Sequence, residues 1–479
     1  MSTIDWLVMF GSLLAIAIYG IYKTRSVHTA QSYLQGDNEK KWWEIGLSVM
    51  ATQASAITFL SVPGQAYDDG LRFIQFYFGL LLAMIEIAVF FFVIYYKLQV
   101  YTESHSLNHS FDVYTQTITA LLFLIQRAFS TGITIYAPSI ILSQLLGWDL
   151  NTTVIFIGGI VTIYILSGGT KAVAVTHKQQ MFVIYVGMFT AFGCLIYYLS
   201  EYVSFNESLN VAGALGKMNI ITTGAESGSF DWSDRYNIIS GLIGGRFLQS
   251  RYFGTEQSQV GRYLGGESVK ESRLGLIFNG LMKVPVQFFI LLTGVLVFVF
   301  YQFNQPPVYF NEVAYTQTKN SIYAEELDRL ETAYLAATDN QTKLNRELAE
   351  QKVTADAQQT EILRNSQEQV NGLRTEINAV IKKANPDIDD DHDYIFMHFV
   401  MNYLPIGLVG LLFAVIFSAS MSSTSSALNG LATTFSVDIY KRFINKNASE
   451  QQHLIASKVL TVLFGAIAIG FALVCSMFD

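Results

Sequence analysis

The chain has 479 residues, of which 51% are hydrophobic and 14% are charged, with a net charge of −8 and a mean hydropathy of +0.34. This composition excludes an ordinary soluble domain and is typical of a protein that lies largely within a lipid bilayer. The two cysteines, Cys194 and Cys475, lie inside apolar runs, which argues against a disulfide framework, a zinc site or a CxxC redox centre.

Apolar runs of about 20 residues predict the membrane-spanning helices. Asp5 opens the first run, and Lys23 and Arg25 follow it, which is the reverse of a signal peptide, so we predict an uncleaved helix with its N-terminus outside. In chain order, we place the runs near residues 4–22, 44–62, 74–98, 116–146, 152–168, 179–200, 236–256, 275–303, 403–437 and 455–477.

The basic residues of the short loops support this orientation. With the N-terminus outside, most of them fall on the cytoplasmic side, and the short external loops hold only Arg72, Lys217 and Arg235. This asymmetry follows the positive-inside rule. We therefore predict a multi-pass protein of the cell membrane, that is, the inner or plasma membrane.

Two of the predicted spans are poorly suited to a continuous helix. Residues 51–56 form a small and polar patch near the middle of the second run, and the seventh run contains Gly241, Gly244 and Gly245. Irregular backbone at membrane depth persists only where it lines a cavity or is buried in protein. Interrupted helices at matching places in two halves indicate an inverted-repeat transporter. Small residues that only permit close helix packing are the alternative.

The external segment 305–392 differs in composition from the rest of the chain. It is rich in Glu, Gln, Asn, Lys and Ala, and its apolar residues recur at mostly helical spacing. We predict a helical, coiled-coil-like hairpin that turns near 350–358; a single long helix is less favoured because its narrow apolar stripe would have nothing to pack on. The hairpin is either a solvated spacer or packing arm, or a docking surface for an extracytoplasmic protein partner.

A later span is dense in hydroxyl groups, with Ser418, Ser420 and every residue of 422–426 a serine or threonine. Sodium is a hard cation that prefers oxygen ligands. Carbonyls released by an interrupted helix, together with hydroxyls of a neighbouring helix, would form a neutral cage for one positive charge. Serines also often bond back to their own helix, so the interrupted partner helix is needed for this interpretation.

Four motifs carry a resemblance to a known family, and they occur in that family's order and spacing. The chain resembles the sodium/solute symporter family, which includes the sodium/glucose cotransporters and carriers of vitamins, iodide and monocarboxylates. The four stretches are KKWWEIGLSVMATQASAITFLSVPGQAYDDGL, LSGGTKAVAVTHKQQ, GTEQSQVGRYLGGES and SSTSSALNGLATTFSVDIYKRF.

The resemblance implies an all-α LeuT-type inverted repeat with an N-terminal accessory helix. The family has a further core helix after the span at 455–477, so we expect either a fragment or a second repeat that lacks its last helix. The implied domains are an accessory helix and loop (1–43), the first five-helix repeat (44–200), an external loop with the first half of the second repeat (201–304), the extracytoplasmic insertion (305–392) and the rest of the second repeat (393–479).

The family's sodium site implies Na⁺ as the coupling ion and identifies the residues that hold it. Carbonyls of the first core helix, and a carbonyl with two hydroxyls of the eighth, bind the ion in the family. These positions are Ala51, Ala54, Ala419, Ser422 and Ser423 here. Some relatives place an Asp of a second sodium site where this chain has His177, so we expect no second sodium and interpret His177 as a residue at a cytoplasmic helix end.

The solute-binding residues of the family's sugar carriers do not match this chain. Thr58, Tyr77 and Glu256 stand where those carriers have glutamine, glutamate and asparagine. Arg127 lies within an apolar span, where it could bind a carboxylate or pair with an internal carboxylate such as Glu86. The candidate solute-binding residues are Gln53, Ser55, Thr58, Tyr77, Arg127, Glu256 and Gln257.

We therefore predict a sodium-coupled symporter of a small organic solute, with an organic anion favoured over a sugar. A transporter scaffold that acts as a sensor, or an inactive truncated scaffold with a partner-binding hairpin, is the alternative from another class. The chain shows no constellation of nucleophile, base and orienting group and no nucleotide motif, so an enzyme is not expected. Nor does a basic patch indicate nucleic-acid binding.

Overall fold

The computed structural model describes residues 1–25, 27–36, 39–98, 112–225, 228–232, 234–350, 357–386, 388 and 390–477. Regular structure within these ranges is helical. The protein is thus an all-α polytopic membrane protein. Seven of the described helices are long and apolar enough to cross a membrane, namely Thr3–Thr24, Ala56–Lys97, Val113–Leu146, Leu150–Leu199, Val269–Phe303, Leu408–Ile444 and Glu450–Cys475.

The first half of the chain forms nine helices, counting only the described residues. A π-helical turn, Ile87–Phe91, makes α5 and α6 continuous. The helices are α1 (Thr3–Thr24), α2 (Ala30–Gln35), α3 (Trp42–Gln53), α4 (Ala56–Asp69), α5 (Gln75–Glu86), α6 (Phe92–Lys97), α7 (Val113–Leu146), α8 (Leu150–Leu199) and α9 (Phe205–Ala214).

The second half has the same helical character but contains the external elements. A π-helical turn, Ser240–Gly244, precedes α10, and another, Phe435–Ile444, follows α17. The helices are α10 (Gly245–Thr255), α11 (Gln257–Tyr263), α12 (Val269–Phe303), α13 (Glu312–Lys319), α14 (Ala324–Glu350), α15 (Ala357–Ala384), α16 (His392–Tyr403), α17 (Leu408–Thr434) and α18 (Glu450–Cys475).

Helix α8 contains a sharp bend that divides it into two spans. Gly169 has φ 52° and ψ −127°, a backbone conformation that side chains of L-residues rarely adopt. A Cβ at this position would lie 2.2 Å from the carbonyl oxygen of Tyr33. Glycine is therefore required both by the conformation and by the close approach of the segment that contains α2.

Helix α17 is the centre of the molecule. Every residue from 412 to 434 is buried, and α1, α3, α4, α7, α8, α11 and α18 pack around it. The carboxylate of Asp5 accepts hydrogen bonds from the backbone nitrogens of Gly407 (2.6 Å) and Gly410 (3.1 Å), so α1 caps the start of α17. The serine-rich stretch is thus held in the most enclosed part of the fold.

The segment between α12 and α17 docks on one end of the helix bundle, the end predicted to be external. Helices α14 and α15 run antiparallel and bury a small apolar core that includes Leu327, Tyr334 and Ile377. Arg346 donates to the carbonyl of Phe303 at the end of α12 (2.6 Å). The hairpin is therefore attached to the membrane part rather than standing free of it.

Candidate functional site

Two interrupted helices bring unpaired backbone groups into the core. Between α3 and α4, Ala54 (ψ 93°) and Ser55 (ψ 165°) are extended. Between α10 and α11, Glu256 is extended, with ψ 114°. The last carbonyls of a helix have no partner within it, so each break offers oxygens to another group.

Two of the residues expected to bind sodium, Ala51 and Ser422, are in contact at the first break. The hydroxyl of Ser422 donates to the carbonyl of Ala51 at 2.7 Å and so joins α17 to α3. Ser423 donates to the carbonyl of Ala419 at 3.2 Å. Ala54 is buried three residues after Ala51. Carbonyl and hydroxyl oxygens therefore meet here, and both hydroxyls keep lone pairs for a cation.

The oxygens at this break are all uncharged. Among the described residues, no group of three or more His, Cys, Asp or Glu side chains is placed to hold a metal ion. A divalent ion generally needs carboxylate or imidazole ligands, whereas a neutral oxygen cage suits a monovalent cation. The residues present at the break therefore fit sodium.

His177 lies in the core beside this cage, so its interpretation as a residue at an exposed helix end is wrong. Its side chain is fully buried. Its Nδ1 lies 3.0 Å from the hydroxyl of Ser48 on α3, and its Nε2 lies 3.3 Å from the carbonyl oxygen of Ser422 and 3.3 Å from the hydroxyl of Ser426 on α17. Because a carbonyl can only accept, Nε2 carries the hydrogen and Nδ1 accepts from Ser48. The imidazole thus links three helices behind the candidate sodium ligands.

Arg127 is paired, but with a different carboxylate from the one considered. Its Nε lies 3.4 Å from Glu256 Oε1, and both side chains are mostly buried. One of its terminal nitrogens donates to the hydroxyl of Ser258 at 3.3 Å. Glu86 instead accepts from Arg246 at 3.0 Å. Arg127 therefore ties α7 to the second break, and its charge is offset within the protein.

The other solute candidates are distributed over several places. Gln53 donates to Gln249 at 3.4 Å and so joins the end of α3 to the middle of α10. Thr58 lies in the first turn of α4, where its backbone N–H donates to the carbonyl of Ser55, and Gln257 is buried at the second break. Tyr77 packs edge-on against Phe73. The structure thus gives two groups near the breaks, Gln53 with Gln249 and Arg127 with Glu256, and leaves Tyr77 in an aromatic cluster.

A cavity beside the first break contains a charged residue that the sequence interpretation missed. The cavity has a volume of about 240 Å³, and Ala54 and Lys283 both line it. Lys283 lies in the middle of α12 and is 3% exposed. The signal was present in the sequence, since a lysine inside an apolar span indicates a functional position by default. The remaining lining residues are Met50, Phe59, Met181, Ile184, Tyr185, Met188, Phe189, Pro285, Val286, Phe289 and Ile290.

Comparison with known proteins gives matches that cover most of the chain. The family model described as "Sodium:solute symporter family" matches residues 33–324 and 375–477. The unmatched stretch between them contains all but the first residue of α14 and more than half of α15. The match thus contains the membrane helices from α3 onward and leaves out α1 and most of the hairpin.

Individual relatives have low sequence identity to the chain, but the alignments are long. The sodium/sialic acid symporter SiaT of Proteus mirabilis is 24% identical over 473 residues, which is 96% of this chain and 76% of that protein. The human sodium-coupled monocarboxylate transporter 2 is 26% identical over 268 residues, and the chain covers 41% of its length. A solved structure titled as a substrate-bound, outward-open Na⁺-coupled sialic acid symporter matches with a TM-score of 0.74 and 22% identity, over 99% of this chain and 83% of that one.

Proposed function

Because the chain belongs to the sodium:solute symporter family and has its LeuT-type fold, we propose that it carries a small organic anion across the cell membrane together with sodium. The observation that carries the sodium part is the bond from Ser422 of α17 to the carbonyl of Ala51 at the break of α3. It places neutral oxygen ligands of two separate helices within reach of one cation. We take Ala51, Ala54, Ala419, Ser422 and Ser423 as the ligands.

The same geometry explains how sodium would be coupled to movement. Ala51 belongs to a helix that ends at a break, whereas Ser422 belongs to the buried central helix. A cation bound to both would hold α3 against α17, and its release would free them to move apart. In inverted-repeat carriers, such relative movement of two helix groups exposes the site alternately to the two sides. Sodium occupancy would thereby decide when the solute site can open inward.

The charge of the solute is inferred from Lys283. Its side chain lines a cavity whose other walls are mostly Met, Phe, Ile, Val and Pro side chains, and which Ala54, one of the proposed sodium ligands, also lines. A buried cation with apolar walls suits a carboxylate that carries a short apolar body. It suits a polyhydroxylated sugar poorly, because most of the sugar's hydroxyls would lose their hydrogen bonds. A monocarboxylate is therefore the solute class that we favour.

Arg127 plays a different part in this proposal. Because Glu256 already offsets its charge, a second carboxylate would have to compete for the guanidinium. We therefore assign Arg127 and Glu256 to the support of the second break, and we keep Gln53, Ser55, Thr58 and Gln257 as polar groups that can orient the solute near the breaks.

The sodium proposal is tested by uptake into proteoliposomes as a function of sodium concentration. We expect Ser423→Ala to raise the sodium concentration for half-maximal uptake by about tenfold, because one ligand oxygen is lost. Ser139→Ala is the matched control, since Ser139 is also buried and bonds back to its own helix, α7, far along the chain from the breaks. An active carrier whose sodium dependence is unchanged in Ser423→Ala would remove the site assignment.

The solute proposal is tested with labelled butyrate, pyruvate, sialic acid and glucose in the same vesicles. We expect sodium-dependent uptake of the monocarboxylates. Lys283→Met should abolish this uptake and Lys283→Arg should retain part of it, because the charge is preserved. Glucose or sialic acid uptake that persists in Lys283→Met would show that the cavity does not bind the transported carboxylate.

We also propose that the N-terminus lies outside. The support is the charge of the loops, since Lys171 and Lys178 near the bend of α8, Arg262 and Lys270 then fall on one side together with Lys441. Cysteine labelling at Ser2 with a membrane-impermeant reagent in intact cells tests it, and labelling only after permeabilisation would reverse the topology.

A further inference from the structure

Arg262 is the largest side chain that is fully buried in the described part of the chain. It lies in α11, just after the second break, and its Nε donates to the carbonyl of Ser258 at 3.1 Å. Its two terminal nitrogens have no hydrogen-bond partner among the described residues. A guanidinium carries its charge at any physiological pH and has five N–H donors in a fixed plane. Four donors at the outer end of this side chain are thus unused.

The groups that surround this guanidinium do not offset its charge. The hydroxyl of Tyr164 and the imidazole of His177, both on α8, lie within electrostatic reach of it. Within the described residues, no carboxylate contributes to the environment of Arg262. The positive charge of Arg262 is therefore not offset by a carboxylate within the described residues.

Gln180 is a second buried polar residue in this region whose hydrogen bonds are incomplete. Its side chain is fully buried on α8 and lies near the hydroxyl of Tyr164. Neither its amide nitrogen nor its amide oxygen completes a hydrogen bond within the described residues. Buried polar atoms are normally satisfied by protein, water or a ligand. Arg262 and Gln180 together thus offer several donors to a group that is not part of the protein.

Sodium binding would add a positive charge to this region. His177 contacts the carbonyl of Ser422, whose hydroxyl lies at the candidate sodium site. A bound sodium and Arg262 would therefore both lie near one imidazole, that of His177. Two like charges in a low-dielectric interior oppose each other unless an anion is present.

We propose that the terminal nitrogens of Arg262 bind a small monovalent anion, either chloride or the carboxylate of the transported solute. Both accept hydrogen bonds from a guanidinium, and both carry the single negative charge that the region lacks. The enclosed position excludes a large or multiply charged group. Occupation of this site favours sodium binding, because the anion reduces the repulsion between Arg262 and the cation.

The test is direct binding of labelled chloride to the purified full-length chain in sodium gluconate. We expect about one chloride per chain for the native protein, and at least tenfold weaker binding for Arg262→Gln. Arg246→Gln is the matched control, because Arg246 precedes the same break but is half-exposed and paired with Glu86; it should bind chloride as the native chain does. Crystals of the native protein soaked in bromide should show an anomalous peak within hydrogen-bond distance of Arg262. This measurement tests the anion site even if Arg262→Gln does not fold.

The second arm replaces chloride with labelled butyrate. Butyrate binding that is lost in Arg262→Gln and retained in Arg246→Gln, without chloride binding, identifies the solute carboxylate as the anion. The proposal is wrong if neither anion depends on Arg262 and the density beside it is water. Labelled sodium binding in the same samples separates this proposal from the proposed symport. If the chain binds sodium but neither anion, the anion site is wrong and the symport proposal stands. If it binds an anion but no sodium, the symport proposal is wrong and the anion site stands.

Discussion

At the scale of single residues, the adjacent serines Ser422 and Ser423 of α17 have different hydrogen-bond partners. Ser422 bonds across to Ala51, whereas Ser423 bonds to Ala419 and Ser420 of its own helix. The carbonyl of Ser422 meanwhile faces His177. Ser422 thus contacts α3 through its side chain and α8 through its backbone. The position of its hydroxyl depends on both neighbours.

His177 should therefore act as a positioning residue for sodium. The terminal amide of glutamine reaches about as far as Nε2, so His177→Gln can still donate to the carbonyl of Ser422. The shorter amide of asparagine reaches about as far as Nδ1, so His177→Asn keeps only the contact with Ser48. We expect the Asn variant to raise the sodium concentration for half-maximal uptake by roughly five- to tenfold, and the Gln variant by less than twofold. The hydroxyls of Ser425 and Ser426 still donate to the carbonyl of Ser422, so the Asn variant loses one buried hydrogen bond, which typically contributes about 0.5–1.5 kcal/mol.

The readout for His177 is the sodium dependence at saturating solute, together with the KM for solute at saturating sodium. If His177 is a positioning residue, its substitution changes the sodium dependence and leaves the KM for solute within about twofold. Equal loss of both in the Asn and Gln variants would show that His177 only maintains the fold.

The sequence predicts the surroundings of a residue well where a motif fixes the spacing, and less well where the surroundings depend on the packing of three helices. Ser422 and Ala51 are 371 positions apart, yet each belongs to a recognisable stretch, and the structure places them in contact. The burial of His177 depends on the path of α8 between α3 and α17, which local spacing does not specify. Glu256 rather than Glu86 pairs with Arg127 because the extended backbone at the second break turns that carboxylate toward α7.

At the scale of helices, bends and breaks decide where the chain can carry function. Small residues predict the break at Ala54. The glycines Gly241, Gly244 and Gly245 instead lie in and directly after a π-helical turn that continues into α10, and the break of this span lies at Glu256. The apolar runs near 152–168 and 179–200 are joined in the structure as one helix, α8, because the residues between them are themselves helical apart from Gly169. Hydropathy locates the lipid-facing runs but does not locate the turn, which depends on contact with Tyr33.

We expect Gly169→Ala to destabilise the protein. The positive φ alone costs an L-residue about 1–3 kcal/mol, and the new Cβ would overlap the carbonyl oxygen of Tyr33 at 2.2 Å. Gly193→Ala, in the same helix α8, is the control because nothing lies within 4 Å of its added Cβ and alanine favours a helix by about 1 kcal/mol. The midpoint temperature of thermal unfolding in detergent should fall by several degrees in Gly169→Ala and should not fall in Gly193→Ala. An equal effect of the two substitutions would contradict the required bend.

At the scale of the whole molecule, the external hairpin is linked to the part of the chain that carries the site. Arg374 of α15 donates to Asp391 at 2.6 Å, with side-chain exposures of 10% and 1%. The guanidinium also lies over the ring of Tyr67 on α4, at 5.7 Å. Helix α4 follows the first break directly. The hairpin is therefore in contact with the helix that follows the first break.

The buried pair should make Arg374 important for stability. Arg374→Gln would leave Asp391 buried without its cation, and breaking such a pair typically costs about 3–5 kcal/mol. The backbone bond from Phe310 to the same carboxylate, 2.7 Å, reduces this cost. Lys343→Gln is the control, since its pair with Asp339 on α14 is exposed and should contribute less than about 0.5 kcal/mol. Limited proteolysis should cut α14 or α15 faster in Arg374→Gln only; equal rates would show that the pair does not hold the hairpin.

The contact between α4 and the start of α16 should depend on pH through His392. This imidazole bonds to Asp68, the last residue but one of α4, and to Asp390 at 2.8 Å. Burial opposes its charge, but the two carboxylates outweigh burial and raise the pKa of His392 to about 10. Because the pKa in the folded state lies above the ordinary value of about 6.5, the stabilisation is complete below pH 6.5 and is lost as the pH rises toward 10. The thermal midpoint should fall across this range.

His392→Gln should remove that dependence, giving a lower midpoint at pH 6.5 and nearly the native value at pH 10. His398→Gln is the control on the same helix, because burial lowers the pKa of His398 to about 4 and it does not titrate in this window. Loss of its bond with Tyr301 should lower the midpoint equally at both pH values. Since Asp68 lies near the end of α4, weakening this contact should also loosen the far end of the helix that begins at the proposed sodium site. Uptake measured at pH 6.5 and 9 should therefore respond to pH less in His392→Gln than in the native chain, and an unchanged response would confine His392 to stability.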